Sequence, residues 1–163
     1  MTGKQKKNKK SQTNYAVNKL AHAQFAISET LEAGLLLVGS ETKSVKTGGA
    51  VHLKEAFVRI MKGEIFLINA YIAPYENASW ESHNETRTRK LLVHKKEIIR
   101  LWSKAQEKGL TLVPLRMYPK GHLIKLEIGL GKGKKAFEKR DDLKKRSVQR
   151  DLSRDFKQSQ IKV

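Results

Sequence analysis

Five histidines, His22, His52, His83, His94 and His122, are the side chains here best suited to moving protons or ligating a metal near neutral pH. No two of them stand at the spacing that puts paired ligands on one face of a helix, and no HExxH segment occurs. With no cysteine in the chain, thiolate zinc sites and disulfides are excluded. The segment Gly129 to Lys135 invites a phosphate-loop reading, but it lacks the G-x-x-x-x-G-K-[ST] spacing, and no Ser or Thr follows Lys134 to hold magnesium. Carboxylates in the apolar segments are too sparse to nominate an acid–base pair. The expectation is a protein that is no enzyme and uses no cofactor or metal.

What does accumulate is binding hardware. In Thr86 to His94, the cations Arg87, Arg89 and Lys90 precede the apolar run Leu91-Leu92-Val93, and Lys95 and Lys96 resume the charge. The expected arrangement anchors the apolar half in a core and holds the basic half at the surface, a rigid cationic ridge suited to phosphates. The same pattern also describes a strand entry with merely solvated charges. A second cluster, Lys132, Lys134, Lys135, Lys139 and Arg140, surrounds Phe137, whose ring could stack on an unpaired base or tuck back on the domain.

The whole composition favours the binding readings. Over 163 residues the formal net charge is +18, an imbalance that attracts polyanions, with nucleic acid first and an anionic membrane surface second. No apolar run approaches the roughly 20 residues of a spanning helix, and Met1 to Asn14 has no signal-peptide core, so a cytoplasmic protein without membrane contact is expected.

Residues 1–14 read as a disordered basic arm. From Phe25, apolar and polar residues alternate toward Gly34, a strand with a glycine bend, although a helix over Asn18 to Glu32 remains an alternative. Ser40 could cap a short helix through Lys46, stopped by Gly48-Gly49. Two strands, Val51 to Ile60 and Ile65 to Ala73, flank a Lys62-Gly63 hairpin turn, and Pro74 ends the second. After the long loop from Tyr75, Leu91 to Val93 forms a short strand. Ile98, Leu101, Trp102 and Ala105 then mark an amphipathic helix, opened by His94 with Glu97 reaching back and stopped by Gly109. Leu110 to Tyr118 and Leu123 to Leu130 form the last strand pair, with Pro114 implying an edge or bulge. Gly129 to Lys135 reads as a flexible basic hinge. Beyond it, Asp141/Lys145 and Asp142/Arg146 favour a helix with the thin apolar stripe Val148, Leu152 and Phe156. The fold expected is mainly β with helices: an OB-like closed antiparallel barrel of about six strands over residues 15–130, and a flexible basic C-terminal tail over 131–163 that becomes helical on a partner.

Nine patches in order, Asn18-Lys19, Leu31-Glu-Ala-Gly34, Glu41-x-Lys-Ser44, Leu67-Ile-Asn69, Pro74-Tyr75-Glu76, Arg87-Thr-Arg-Lys-Leu-Leu92, His94-Lys95, Leu112-Val-Pro114 and Gly133-Lys-Lys135 with Lys139-Arg140, resemble the bacterial SsrA-binding protein (small protein B) family. The resemblance implies an OB-type barrel that binds the tRNA-like domain of transfer-messenger RNA (tmRNA). It further implies delivery of that RNA, with elongation factor Tu, to ribosomes stalled on messages lacking a stop codon. By position it ties Asn18, Glu32, Leu92 and His94 to RNA binding; the basic residues Lys43, Arg87, Arg89, Lys90 and Lys95 complete the expected RNA-binding set, and Leu92 itself reads physically as core support. It ties Gly133, Lys134, Lys135, Lys139 and Arg140 to a tail that probes the empty mRNA channel and decoding centre of the small subunit, and puts Phe137 where the family often has a stacking ring. Lys132 of the same basic cluster completes the expected tail set, and Gly131 and Gly133 read as letting it swing. A monomer is expected. The chain departs from the family pattern at Leu20, Ala23 and Ala26, where basic and aromatic residues are usual, and at Thr42 and Glu138. A general single-strand or ribosomal RNA-binding OB protein is the alternative reading.

Overall fold

The computed structural model describes residues 14–77, 82–141, 144, 147, 148 and 152. Its chain order is β1 (Ala16–Val17), α1 (Ala21–Gln24), β2 (Phe25–Leu35), α2 (Gly39–Lys46), β3 (Val51–His52), β4 (Phe57–Met61), β5 (Glu64–Ile68), β6 (Tyr71–Ile72), β7 (Arg89–Leu92), α3 (Lys95–Lys108), β8 (Thr111–Lys120) and β9 (Leu123–Gly133). Six antiparallel strands close into a ring in the order β8-β4-β5-β7-β2-β9 and back to β8, with β1 added beside β8. This is the expected OB-like arrangement, mainly β with a few helices. No described helix is long and apolar enough to cross a membrane.

Local chemistry explains most of the elements. Alternation wins over the helical alternative in β2, and only Ala21–Gln24 coils before it. Lys62 and Gly63 both take positive φ, 51° and 75°, the backbone that a two-residue hairpin needs to match strand twist. In α3 the Glu97 carboxylate accepts the His94 amide at 3.2 Å, and Gly109 ends the helix at φ 56°. The register of β8 slips between Pro114 and Arg116, so the proline sits at a bulge, as expected of a residue with no N–H to donate.

Several expectations are corrected. The run Ile65 to Ala73 is two strands, because Asn69 turns left-handed at φ 57°. Val51 to Ile60 breaks likewise, into β3 and β4. The two breaks face each other, with Asn69 Nδ2 donating to the Glu55 carbonyl at 3.3 Å, so β3 and β6 leave the ring together as a separate ladder. The N-cap of α2 is Val38, not Ser40; the Glu41 carboxylate takes the Val38 amide at 3.0 Å. Nor is Gly129 to Gly133 a hinge, since β9 stays paired with β2 through Gly133. A Cβ on Gly131 would lie 2.7 Å from the Ala26 carbonyl oxygen and 2.9 Å from Ile27 Cδ1, so glycine there serves close strand packing. Residues 136–141 are helical, whereas Asp142, Lys145, Arg146, Phe156 and the arm through Thr13 lie outside the described residues.

The core is continuous across the ring, built on Ile65, Leu67, Leu91, Met117, Leu126 and Ile128, with Ile98 and Leu101 of α3 and Val45 of α2 packed into it. One charged cluster is embedded in it. Glu41 and Arg89 are both wholly buried, and Arg87 is partly so. Arg87 donates from Nε and Nη2 to the two Glu41 oxygens at 2.7 Å each, and Arg89 Nε donates at 2.9 Å. Arg89 spends its remaining donors on the Ala70, Arg87 and Glu85 carbonyls. The pair is thus satisfied on every side, the condition under which buried charges are tolerated. Burial alone would push the Glu41 carboxyl up; the hydrogen bonds from Arg87 and the Val38 amide, with the charges of Arg89 and Arg87, outweigh it and hold the carboxyl below its ordinary 4.5.

Glu41→Ala would leave Arg89 buried without its counter-charge, and should cost about 3–5 kcal/mol in urea unfolding near neutral pH. Because the folded pKa of Glu41 is depressed, this contribution is complete above about pH 4.5 and is lost as the pH falls through the folded value. The stability gap between wild type and variant should therefore hold steady above that pH and narrow below it. A gap that keeps its full size in acid contradicts the assignment.

Candidate nucleic-acid interface

The pairing of β2 with β9, and of β9 with β8, sets Glu32 opposite Glu127 and Glu127 opposite Arg116, with Lys125 opposite Tyr118. Since side chains alternate along a strand, Arg116, Tyr118 and Lys120 share one outer face, on which Lys125, Glu127 and Glu32 also lie. There Tyr118 donates its hydroxyl to Glu32 at 2.5 Å, and Lys120 Nζ reaches both Glu32 oxygens at 2.8 and 3.0 Å. Lys125 stands 3.6 Å away, and the Arg116 guanidinium lies 5.0 Å from the Tyr118 ring centroid. Hydrogen bonds from Lys120 and Tyr118 hold the Glu32 carboxyl down to about 2. The Tyr118 phenol is pushed up to about 12, first by burial and then by the bond it donates to Glu32. Glu32 is therefore an acceptor at any working pH, fixed in direction, with lone pairs left for the N–H of a ligand.

Beside this network lies an apolar groove of about 250 Å³, floored by Gly34, Leu35 and Leu37 and walled by Leu92, Leu123 and Lys125. Leu92 is 53% and Leu123 62% exposed. Gly34 pairs with Leu92, and a Cβ on it would come within 3.2 Å of Leu92 Cβ. The glycine expected to bend β2 thus also lets β7 approach and seats Leu92 beside the Glu32 face.

The site residues expected from sequence fall into three groups. Glu32, Leu92, His94 and Lys95 are exposed. Leu92 is not core support; Leu91, 2% exposed, fills that role. Lys43, also exposed, lies 5.8 Å from the Tyr75 ring centroid. Lys90 is half-buried and paired with Glu64. The expected surface ridge at Arg87 and Arg89 does not form, because both are committed to Glu41. Asn18 is buried too, its Nδ2 donating to the Leu53 and Pro114 carbonyls at 3.1 Å each and its Oδ1 accepting the Ala21 amide at 3.2 Å. It ties α1 to the ring. In these positions Asn18 and Arg89 fix elements of the fold and present no side chain to solvent.

In the tail cluster, Lys132, Gly133, Lys135, Phe137, Lys139 and Arg140 are exposed, Phe137 by 60%. Lys134 is docked, its amide on the Gln24 carbonyl and its Nζ on the His22 carbonyl, both at 2.8 Å. The Glu138 carboxylate accepts the Lys135 amide at 2.7 Å, a capping contact at the start of the helical turn. Lys132 pairs with Ala26, six residues along β2 from Glu32. At about 3.3 Å per residue, the tail leaves the ring about 20 Å from the Glu32 face.

The sequence reading missed Tyr118, Lys120, Leu123 and Lys125. Period-two alternation of β8 and β9 was visible, but only the register between three strands brings these residues to Glu32.

A closed ring of short antiparallel strands, with an outward cation-rich face bearing a fixed carboxylate and exposed apolar side chains, defines an OB-like nucleic-acid-binding protein. A family profile described as "SmpB protein" matches residues 6–158. Similar proteins include SsrA-binding proteins of Aquifex aeolicus (51% identical, covering 87% of this chain and 90% of that one) and Anoxybacillus flavithermus (48% identical, covering 89% and 94%). A chain in a solved structure described as "tmRNA-SmpB: a journey to the center of the bacterial ribosome" is 45% identical, with a TM-score of 0.61 over 74% of this chain and 85% of that one. The chain belongs to the SmpB protein family.

Replacing Lys120 with Met removes the principal hydrogen bond to Glu32. The Glu32 carboxyl should then titrate nearer its ordinary 4.5 in carboxyl-resolved NMR, with Tyr118→Phe giving a smaller rise. An unmoved titration in both variants would dismiss the network.

Proposed function

We propose that this protein binds the tRNA-like domain of tmRNA on the Glu32–Leu92 face and delivers it to stalled ribosomes for trans-translation, without catalysing a reaction itself. Its relatives are SsrA-binding proteins, and its solved neighbour is described with tmRNA and the ribosome. The observation that carries the reading is the two-ended layout: a contact face around Glu32 and Leu92, and a basic segment around Phe137 that leaves from the far end of β2. Such a body can hold one RNA at one end while its tail reaches another.

At the first end, Lys120, Lys125, His94 and Lys95 supply positive or polar contacts, Leu92 and Leu123 apolar ones, and Glu32 accepts from a base edge or sugar hydroxyl. Single-stranded bases and 2′-hydroxyls are what distinguish RNA to a protein. Asn18, Arg87, Arg89 and Lys90 serve the same face as supports, and Lys43 of α2 adds a further exposed cation. At the second end, Lys132, Lys135, Lys139 and Arg140 neutralise ribosomal RNA phosphates in the small subunit, and Phe137 stacks on a base near the decoding centre. Gly133 marks where the tail departs, and Lys134 anchors it until the tail engages. Elongation factor Tu joins through the tmRNA complex, the protein acts as a monomer, and a role on the ribosome implies a cytoplasmic location.

Two changes separate the ends. The double variant Glu32→Ala/Leu92→Ala should bind the tRNA-like domain at least about ten-fold more weakly, equivalent to about 1.4 kcal/mol. Truncation after Gly133 should leave that affinity within about two-fold, a few tenths of a kcal/mol, yet abolish tagging on stalled ribosomes in a reconstituted translation assay. Loss of RNA affinity on truncation, or full affinity in the double variant, would reverse the assignment of the ends.

A further inference from the structure

Helix α3 carries two large apolar side chains that its core contacts do not explain. Ile98 and Leu101 enter the core, and Arg100 and Lys104 clamp Glu29 of β2 at 2.6 Å each. Ile99 and Trp102 face outward instead, 56% and 51% exposed. They line a groove of about 300 Å³ against the β4–β5 turn, floored by Ile60 and Ile98 and rimmed by Lys62 and Lys95. No acid lines this groove, and among the described residues neither lysine makes an ion pair.

The groove is not isolated. A neighbouring hollow shares Lys62, Gly63, Lys95 and Ile98 with it and continues past Val93 and Lys90 to Leu92. Leu92 in turn walls the apolar groove beside Glu32. A track with an apolar floor thus runs from Lys125, past Leu92 and Lys95, to Trp102; its rim is cationic apart from Glu64 in the connecting hollow, which is paired with Lys90.

From this we infer that Trp102 is a stacking platform for an unpaired nucleobase of the bound RNA, with Lys62 and Lys95 taking the flanking phosphates. The inference rests on the RNA-binding reading of the Leu92 face and extends that contact along α3. An indole face with a cation on either side suits a planar base on a phosphate chain. An acid-free rim offers nothing to a basic partner, and a second copy of a +18 chain would be repelled.

The test uses the full chain with Trp80→Phe, so that Trp102 is the sole indole. A short single-stranded adenosine RNA should quench Trp102 emission, and the same strand in a duplex should not. Trp102→Ala should weaken binding of the single strand about ten-fold at an unchanged salt slope, with Trp102→Phe recovering most of the loss. Because Trp102 is half exposed and outside the core, both variants should keep the wild-type melting transition. Unquenched Trp102 in the presence of bound RNA, or wild-type affinity in Trp102→Ala, overturns the inference; a protein surface covering Trp102 would give that result. The tRNA-like domain, assayed in parallel with Leu92→Ala, separates the two readings. If Leu92→Ala weakens its binding and Trp102→Ala does not, the stacking platform alone falls. If Leu92→Ala has no effect, the reading of the Leu92 face fails, and Trp102 is judged by its quench.

Discussion

A single buried carboxylate organises the working end of this protein. Glu41 ties α2 to its own N-cap and then to two arginines that arrive from beyond a long loop. Arg89 is the first residue of β7, so the pairing fixes where β7 enters the ring. From there Leu91 points into the core, Leu92 stands out beside Gly34, and His94 opens α3. Charges buried at this depth are not a cheap source of stability. What the arrangement secures is position: the face proposed to contact RNA, made from β2, β7 and the β8–β9 hairpin, depends on a cluster none of those surface residues touches.

Positive charge is sorted by that framework into two kinds. Arg87 and Arg89 are spent on the buried Glu41, and Arg100 and Lys104, although solvent-facing, on Glu29. Lys95, Lys132, Lys135, Lys139 and Arg140 remain at the surface, at the two ends of β2 and along α3. For a polyanion binder only the second kind yields affinity through released counterions. A tally of basic residues along the sequence cannot tell the kinds apart.

That limit marks what the sequence made legible. The Lys62-Gly63 turn, the Glu97 cap, the Gly109 stop and the Pro114 bulge rest on neighbours a few residues away, and each was visible in advance. The burial of Arg87 and Arg89 was not, because Glu41 lies 46 and 48 residues distant. Gly131 looked like part of a flexible hinge, since nothing local reveals that Ala26 and Ile27 crowd it. Asn69 inside an apolar run read as one odd residue in a strand; its left-handed backbone makes it the break. The Glu32 network needed the register of three strands, although resemblance to a family did single out Glu32 itself.

The central claim is that this face recognises a folded, tRNA-like RNA and is not a generic attractor of polyanions. The most direct measurement is competition at physiological salt, with labelled tRNA-like domain of tmRNA challenged by excess tRNA and by unstructured RNA. Retention of the label against both is the expected result. Displacement by both would show that net charge alone drives binding and that the geometry around Glu32 and Leu92 selects nothing.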